Sequence, residues 1–79
     1  MNNYTEKDKK FLKKLGENLK KFRLQNDLSQ EKLAFKAGLD RTYISGIERG
    51  ERNISVITIQ KIAEALKIEM FEIFKNNSK

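Results

Sequence analysis

One stretch of the sequence, residues 29–49, constrains the fold of this chain more than any other. Ser29 is of the type that caps helix N-termini, and helix-forming residues follow it as far as Ala37. Gly38 then predicts the end of that helix, because glycine adopts the left-handed backbone conformation without steric cost. Asp40 is the next capping residue and starts a second helix. The stretch therefore predicts two short helices joined by a tight turn.

The second of these helices has an apolar side and a polar side. Ile44 and Ile47 are three residues apart, so they share one side and predict contact with the protein core. Two short helices with a glycine turn form the helix-turn-helix pattern. In that pattern the second helix, which we call the reading helix, presents its N-terminal residues to base edges in the DNA major groove. We therefore expect three residues on the polar side to read bases: Arg41, Thr42 and Ser45.

Each of these three side chains has chemistry suited to a base edge. Arg41 can donate two hydrogen bonds to guanine O6 and N7, which is worth about 1–3 kcal/mol of discrimination; the alternative is an arginine bound only to phosphate. Thr42 offers a hydroxyl group and a methyl group that suits the methyl of thymine. Ser45 follows Arg41 by four residues and lies on the same face, within reach of a base or a phosphate. Gly46 either keeps this face slim in the groove or allows another helix to pack closely.

A second group of residues is expected to contact the DNA backbone. Gln30 begins the first motif helix, where its amide and the helix N-terminus can both donate hydrogen bonds to phosphate oxygens. Tyr43 can stack on a sugar or donate its hydroxyl to a phosphate, and the alternative is partial burial beside the first motif helix. Arg49, Arg52 and Asn53 follow the reading helix and would flank the backbone. For the two loop residues of this set, the alternative is solvated surface.

The rest of the sequence predicts three more helices that cover this motif. The first spans residues 6–26, and Gly16 near its middle predicts a bend or a later helix start. Its apolar stripe comprises Phe11, Leu15, Leu19 and Phe22. Gly50 suits the C-cap of the reading helix, Ser55 caps a fourth helix, and residues 69–75 form a short fifth one. The apolar face of the fourth helix comprises Val56, Ile59, Ile62, Ala63 and Leu66.

Length and composition limit the possibilities further. The chain has 79 residues, which is enough for one domain, so we expect a single all-α domain over residues 1–79. Its predicted architecture is a compact five-helix bundle with a central helix-turn-helix. The chain contains no cysteine and no histidine, so thiolate metal sites, the usual zinc ligands and the usual general base are missing. It also lacks a glycine-rich phosphate loop. We therefore expect no metal, no cofactor and no enzymatic activity.

The charge balance points to an anionic partner. The net charge is +6 at pH 7, which favours nucleic acid first and a membrane surface second; the alternative is that the charge serves only solubility. No apolar run approaches the roughly 18 residues needed to span a membrane, so we expect a cytoplasmic protein without a membrane partner. Residues 1–27 contain eight lysines and arginines against four acids, whereas residues 39–54 contain three of each. General attraction to phosphate must therefore come from outside the reading helix.

The sequence from about Leu15 to about Phe74 resembles the phage-repressor type (XRE-like) of the helix-turn-helix family. The residues that carry this resemblance are Gln30, Leu33, Ala34, Gly38, Ile44, Ile47 and Glu48. Within that family, the segment DRTYISGIERGERNIS (residues 40–55) is similar to the controller proteins of restriction-modification systems. The resemblance implies a lambda-repressor-like DNA-binding domain and a small dimeric transcription regulator. Such regulators bind double-stranded DNA upstream of their own gene and the endonuclease gene, and activate or repress them.

The resemblance also implies roles for individual residues. Arg23 and Glu48 are expected to form an internal ion pair, and the alternative for Arg23 is a phosphate contact. Glu31, on the first motif helix, matches a position that contacts RNA polymerase in some relatives. Two interpretations compete with that of a controller protein. One is another small helix-turn-helix repressor, of the phage or antitoxin type, and the other is a protein-interaction module that has lost DNA binding.

The short last helix is unusually rich in large apolar residues for its length. Because these residues cannot all face inward on one narrow stripe, we expect an exposed apolar patch, which commonly marks association. The predicted two-fold interface of a homodimer comprises Ile57, Lys61, Met70, Ile73 and Phe74. The alternative is that these residues close the core of a monomer. In a dimer, the two reading helices must match successive turns of the major groove, roughly 34 Å apart, so the operator should be pseudo-palindromic.

Overall fold

The computed structural model describes residues 3–75, and these form five α-helices without any strand. The all-α, five-helix fold predicted from the sequence is confirmed. Residues 1–2 and 76–79, the two ends of the predicted domain, lie outside the described residues. Within this part of the chain, no helix combines the length and the hydrophobicity needed to cross a membrane. The helices are α1 (Glu6–Gln25), α2 (Gln30–Ala37), α3 (Arg41–Glu48), α4 (Val56–Leu66) and α5 (Met70–Phe74).

Side-chain caps set the start of α2, α3 and α4. The Ser29 hydroxyl accepts a 3.0 Å hydrogen bond from the backbone N–H of Lys32 and caps α2. The Asp40 carboxylate accepts one of 3.0 Å from the backbone N–H of Thr42 and caps α3. Ser55 caps α4 in the same way. The three caps predicted from the sequence are therefore confirmed. Each one satisfies a backbone N–H that has no partner inside the helix, which is worth about 1 kcal/mol.

Glycines shape the ends of both motif helices. Gly38 has a φ of +71° and ends α2, and the N–H of Leu39 closes the turn by donating to the carbonyl of Ala34 at 2.8 Å. Gly50 has a φ of +76°, but it lies one residue beyond the C-cap of α3, which is Arg49. The sequence therefore correctly predicted that a left-handed glycine follows the reading helix, but the C-cap lies one residue before the predicted position. Left-handed backbone at these two positions favours glycine, because a Cβ would crowd the following carbonyl.

The apolar core is shared by all five helices. α1 packs against α3 and α5, α2 packs against α3 and α4, and α4 packs against α5. Because two short helices cannot bury their own apolar faces, the other three helices cover the motif. Ile44 and Ile47 are 0% and 1% exposed, so their predicted position in the core is confirmed. The largest fully buried side chains are Leu19, Leu33, Ile44, Ile47, Ile62, Leu66 and Ile73.

Gly16 neither bends α1 nor starts it, contrary to the sequence prediction, because α1 runs unbroken through this residue. Its function is close packing. A Cβ added at Gly16 would lie 2.2 Å from the carbonyl oxygen of Ile47 and 2.8 Å from that of Glu48. These are backbone atoms of α3 and cannot rotate away. Glycine is therefore required for α1 to lie directly on the C-terminal turn of α3.

Two predicted core residues are on the surface. Phe11 is 57% exposed, although it belongs to the predicted apolar stripe of α1. Lys13 already lies against Gly50, just past the end of α3, so the preceding turn of α1 extends beyond the core. Val56 is 67% exposed, because it is the first residue of α4 and only the later turns of that helix are covered.

A buried asparagine that the sequence pattern did not single out holds α5 in place. Asn18 is 5% exposed, and its side-chain nitrogen donates to the backbone carbonyls of Ile73 and Lys75, both at 2.9 Å. These carbonyls lie at the end of α5, where no helical N–H follows to bond them. Asn18 thus joins the end of the last helix to the middle of α1.

The assignment of Ile73 to a dimer interface is wrong. Ile73 is 1% exposed and lies in the core of the monomer, because Asn18 draws this end of α5 onto α1. Met70 is partly buried against the same core. Ile57 and Phe74 remain 60% and 43% exposed. For part of the set, the alternative reading, closure of the monomer core, is therefore the correct one.

Replacing Gly16 with alanine tests the packing of α1 on α3. In an ordinary helix this change would stabilise the protein by about 1 kcal/mol. Here we expect the free energy of unfolding to fall by about 1–3 kcal/mol, because the added Cβ forces α1 away from α3. Gly46→Ala is the matched control within a helix, since its Cβ would meet only the flexible side chain of Arg52. Urea denaturation measures both, and a Gly16→Ala protein as stable as the wild type would contradict the packing role.

Candidate nucleic-acid interface

α3 presents a continuous polar face to solvent. Arg41 and Thr42 are exposed, and Ser45, one turn further along, is partly exposed. On the opposite side, Ile44 and Ile47 are buried in the core. The structure thus brings the three residues predicted to read bases together on one face of a short helix. Because α3 is anchored through its apolar side, these polar side chains lie on a rigid support.

A buried ion pair fixes α3 relative to α1. Nε of Arg23 donates to Oε2 of Glu48 at 2.6 Å, and Nη2 donates to Oε1 at 3.1 Å. The two side chains are only 8% and 4% exposed. Nη1 of Arg23 donates to the backbone carbonyl of Leu28 at 2.7 Å, so the same guanidinium also holds the loop before α2. Arg23 is therefore an internal link of the fold, and it is not presented to solvent for a phosphate contact.

Gln30 takes part in this buried network. Its side-chain nitrogen donates to Oε1 of Glu48 at 3.0 Å, which joins the start of α2 to the end of α3. The sequence pattern suggested only a phosphate contact for this amide. An amide nitrogen carries two hydrogens, so a phosphate contact from Gln30 requires the second of them. The Glu48 carboxylate therefore receives hydrogen bonds from two different helices of the bundle, α1 and α2.

Arg52 folds back over α3. Its guanidinium carbon lies 5.1 Å from the centroid of the Tyr43 ring, a cation–π distance. A Cβ added at Gly46 would lie 3.1 Å from both Cγ and Nε of Arg52. The absence of a side chain at Gly46 therefore leaves room for the arginine, which is a third role beside the two expected from the sequence. Tyr43 is half-buried, and its ring supports a cation close to the polar face of α3.

Arg49 joins this polar face to the loop that follows. Its Nη1 donates to the hydroxyl of Ser45, one turn back on α3. Its Nη2 lies 3.1 Å from Oε1 of Glu51, and both side chains of this pair are more than half exposed. The sequence did not single out Glu51. The Ser45 hydroxyl is thus a hydrogen-bond acceptor for Arg49 in the free protein, and the two residues form one polar unit.

The remaining candidate residues lie around this unit. Asn53 is exposed in the loop before α4 and lines a cleft with Phe11 of α1. Glu31 is exposed in the first turn of α2. Among the residues that the structure describes, no cluster of acids could hold a metal ion. Asn53 and Glu31 thus add exposed polar groups to the polar face of α3 described above.

Comparisons with known proteins by sequence and by structure both identify helix-turn-helix regulators as similar to this chain. A family model described as helix-turn-helix (HTH_3) matches residues 19–73. The chain is 45% identical over 67 residues to the control protein C.MunI from a Mycoplasma species, covering 84% of this chain and 90% of the relative. It is 51% identical over 55 residues to the control protein C.BamHI from Bacillus amyloliquefaciens, covering 68% of each chain. The crystal structure of the restriction-modification controller protein C.AhdI from Aeromonas hydrophila matches with a TM-score of 0.79 at 52% identity, covering 80% of this chain and 96% of that chain.

Replacing Arg23 with alanine tests the buried ion pair. The change leaves the carboxylate of Glu48 buried with only one remaining donor, so we expect the free energy of unfolding to fall by about 3–5 kcal/mol. DNA binding should weaken in parallel, because α3 loses its link to α1. Urea denaturation and a gel shift measure the two effects. In the matched control Arg41→Ala, which removes an exposed arginine, stability should stay within about 0.5 kcal/mol of the wild type. Lost DNA binding with unchanged stability in the Arg23 variant would instead indicate a phosphate contact.

Proposed function

This chain belongs to the helix-turn-helix family, and we propose that it is a controller-type transcription regulator that binds a pseudo-palindromic operator as a homodimer. The observation that carries the proposal is the polar face of α3. Arg41, Thr42 and Ser45 face solvent there, while the opposite side of the helix is buried. The names of the relatives support the controller role. This chain matches 90% of the control protein C.MunI and 96% of the controller protein C.AhdI. These relatives are regulators by name, which agrees with the expectation of a protein without enzymatic activity.

Sequence discrimination in this proposal comes from few contacts. The fork of Arg41 donates two hydrogen bonds to a guanine, and Thr42 contacts a neighbouring base edge or thymine methyl group. In the free protein the hydroxyl of Ser45 accepts a hydrogen bond from Nη1 of Arg49, so Ser45 contributes once that hydroxyl is reoriented or shared. Because α3 itself carries one arginine and one glutamate, binding strength depends on phosphate contacts made by residues around the helix.

Residues at the two ends of the motif would make those backbone contacts. Gln30 lies at the N-terminus of α2, where backbone N–H groups favour a phosphate. Arg49, Arg52 and Asn53 follow α3, and Tyr43 supports the guanidinium of Arg52 beside it. Such contacts position the protein on the duplex without reading its sequence. With about 6–10 phosphate contacts per dimer, affinity should fall by about 10³–10⁵ between 50 and 200 mM salt.

The dimer in this proposal forms through α4 and α5. Ile57, Lys61 and Phe74 are exposed, and Met70 is partly buried against the core. Ile57 and Phe74 expose apolar surface that a second copy would cover. Ile73 is not part of this surface, since it lies in the core of the monomer. Two copies related by a two-fold axis would present two reading helices to one operator.

Two further features complete the proposal. Glu31 is exposed in the first turn of α2, next in sequence to Gln30, and is the residue we propose for contact with RNA polymerase. The relatives named above come from bacteria, in which DNA lies in the cytoplasm, so we expect this protein to act there. Activation and repression would then depend on where the bound dimer lies relative to the polymerase.

Selection of bound duplexes from a random pool tests DNA reading by Arg41. The wild type should select a pseudo-palindrome whose half-sites each contain a preferred guanine. Arg41→Ala should lose about 1–3 kcal/mol of discrimination at that guanine, because its two hydrogen bonds to O6 and N7 are lost. The base preference of this variant at the other operator positions should change little.

The matched control for that experiment is Glu31→Ala on the same motif. This variant should select the same operator with the same affinity, and it should lose activation of a promoter reporter. A wild-type protein that selects no duplex would favour a protein-interaction module over a DNA-binding regulator. A Glu31 variant with intact activation would remove the polymerase contact from the proposal.

Ile57→Asp and Phe74→Asp test the dimer. The wild type should sediment at micromolar concentration with the mass of two chains. Each variant should sediment as one folded chain, because a carboxylate buried in the interface opposes association, and neither side chain belongs to the buried core of the monomer. Phe35→Asp is the matched control: Phe35 is 86% exposed on α2, outside the proposed interface, and its loss should leave the mass unchanged. A wild-type mass of one chain would contradict dimerisation through this surface.

A further inference from the structure

A charged cleft of about 360 Å³ lies between the N-terminal half of α1 and the segment that follows α3. Two lysines of α1, Lys9 and Lys13, line one side of it. Arg49 and Glu51, from the segment after α3, line it as well, and so does Tyr4, which precedes α1. Three cations therefore face one carboxylate in a cleft that is continuous with the end of the reading helix.

Close backbone packing fixes the two walls of this cleft. A Cβ added at Gly50 would lie 2.7 Å from Cα and 2.9 Å from the backbone nitrogen of Lys13. The loop after α3 therefore packs directly on α1. Because Arg49 precedes Gly50 in the chain, this packing also holds Arg49 near Lys13. Lys9 lies one turn earlier on α1, and residues four apart share a helix face. Both ammonium groups are thus carried by a rigid helix next to the DNA-binding loop.

Glu51 occupies this cleft as the counterion of Arg49. Its carboxylate oxygen lies 3.1 Å from Nη2 of Arg49, and the two side chains are 59% and 55% exposed. An exposed pair of this kind is screened by solvent and contributes little stability. Within residues 3–75, the ammonium group of Lys9 pairs only with Glu6, at a long distance of 3.6 Å and with both side chains more than half exposed. An anion that enters from solvent can therefore replace the carboxylate at Arg49 and also meet both lysines.

The geometry points to a phosphate-binding cleft in which Lys9 and Lys13 join Arg49 in holding the DNA backbone. In the free protein the carboxylate of Glu51 pairs with the guanidinium of Arg49, and on DNA binding a backbone phosphate replaces that carboxylate. This inference rests on the proposed function and extends it, because it adds the N-terminal half of α1 to the DNA-binding surface. The family model begins only at residue 19, so this half of α1 lies outside the matched region. The cleft supplies positive charge that the reading helix does not carry.

The salt dependence of binding to the selected operator tests this inference. Lys9→Gln and Lys13→Gln should each weaken binding about tenfold and make the slope of log K against log salt shallower by about 1–2 for a dimer. The losses should be equal on the operator and on a scrambled duplex, because phosphate contacts carry no sequence information. Lys14→Gln is the matched control: it removes the same charge from the next residue of α1, which is exposed and does not line the cleft.

Glu51→Gln provides the opposite test. Removing the internal counterion should strengthen DNA binding by up to about fivefold, since the phosphate no longer competes with a carboxylate. Thermal melting verifies that every variant is folded. Slopes for Lys9→Gln and Lys13→Gln equal to that of Lys14→Gln would overturn the cleft, and so would unchanged or weaker binding by Glu51→Gln. If the wild type binds no duplex at all, the proposed function fails instead, which is a distinct result.

Discussion

The position of the reading helix depends on the buried ion pair between Arg23 and Glu48. Two buried charges are costly to desolvate, and they are tolerated only where hydrogen bonds satisfy them. Here the guanidinium donates to the carboxylate and to a loop carbonyl, while Gln30 adds a donor from α2. One carboxylate at the end of α3 thereby determines where α1, α2 and α3 meet. The pair sets geometry first, because an apolar pair of similar volume could supply the same stability.

Much of the fold was predictable because its determinants are local. Caps at Ser29, Asp40 and Ser55 act within four residues of the helices they start, and the left-handed Gly38 acts within one turn. The spacing of Ile44 and Ile47 likewise identifies the buried side of a helix without reference to any other element. These signals predicted the starts of α2, α3 and α4, the end of α2 and the residues on the exposed face of α3.

The errors concern contacts between elements distant in sequence. Whether Ile73 faces a second chain or its own core depends on Asn18, more than fifty positions away. The sequence did contain a signal, because Asn18 lies within the apolar stripe of α1, where a polar residue needs a buried partner. Gly16 was ambiguous for the same reason, since only the closeness of the α3 carbonyls distinguishes a packing glycine from a helix breaker. The contacts of Gln30 with Glu48 and of Arg52 with Tyr43 likewise depend on proximity in three dimensions, which residue spacing along the sequence does not reveal.

Two arginine–carboxylate pairs involve residues at or just after the C-terminal end of α3, and they differ in how deeply they are buried. The pair of Arg23 with Glu48 is almost fully buried, so DNA cannot replace its carboxylate without unfolding the protein. The pair of Arg49 with Glu51 is more than half exposed, so exchange of a carboxylate for a phosphate only substitutes one anion for another. In the proposed complex, a phosphate bound at the second pair would gain the attraction of neighbouring cations without a new desolvation cost for Arg49. Burial thus distinguishes an arginine suited to fixing the orientation of α3 from one suited to exchanging its anion.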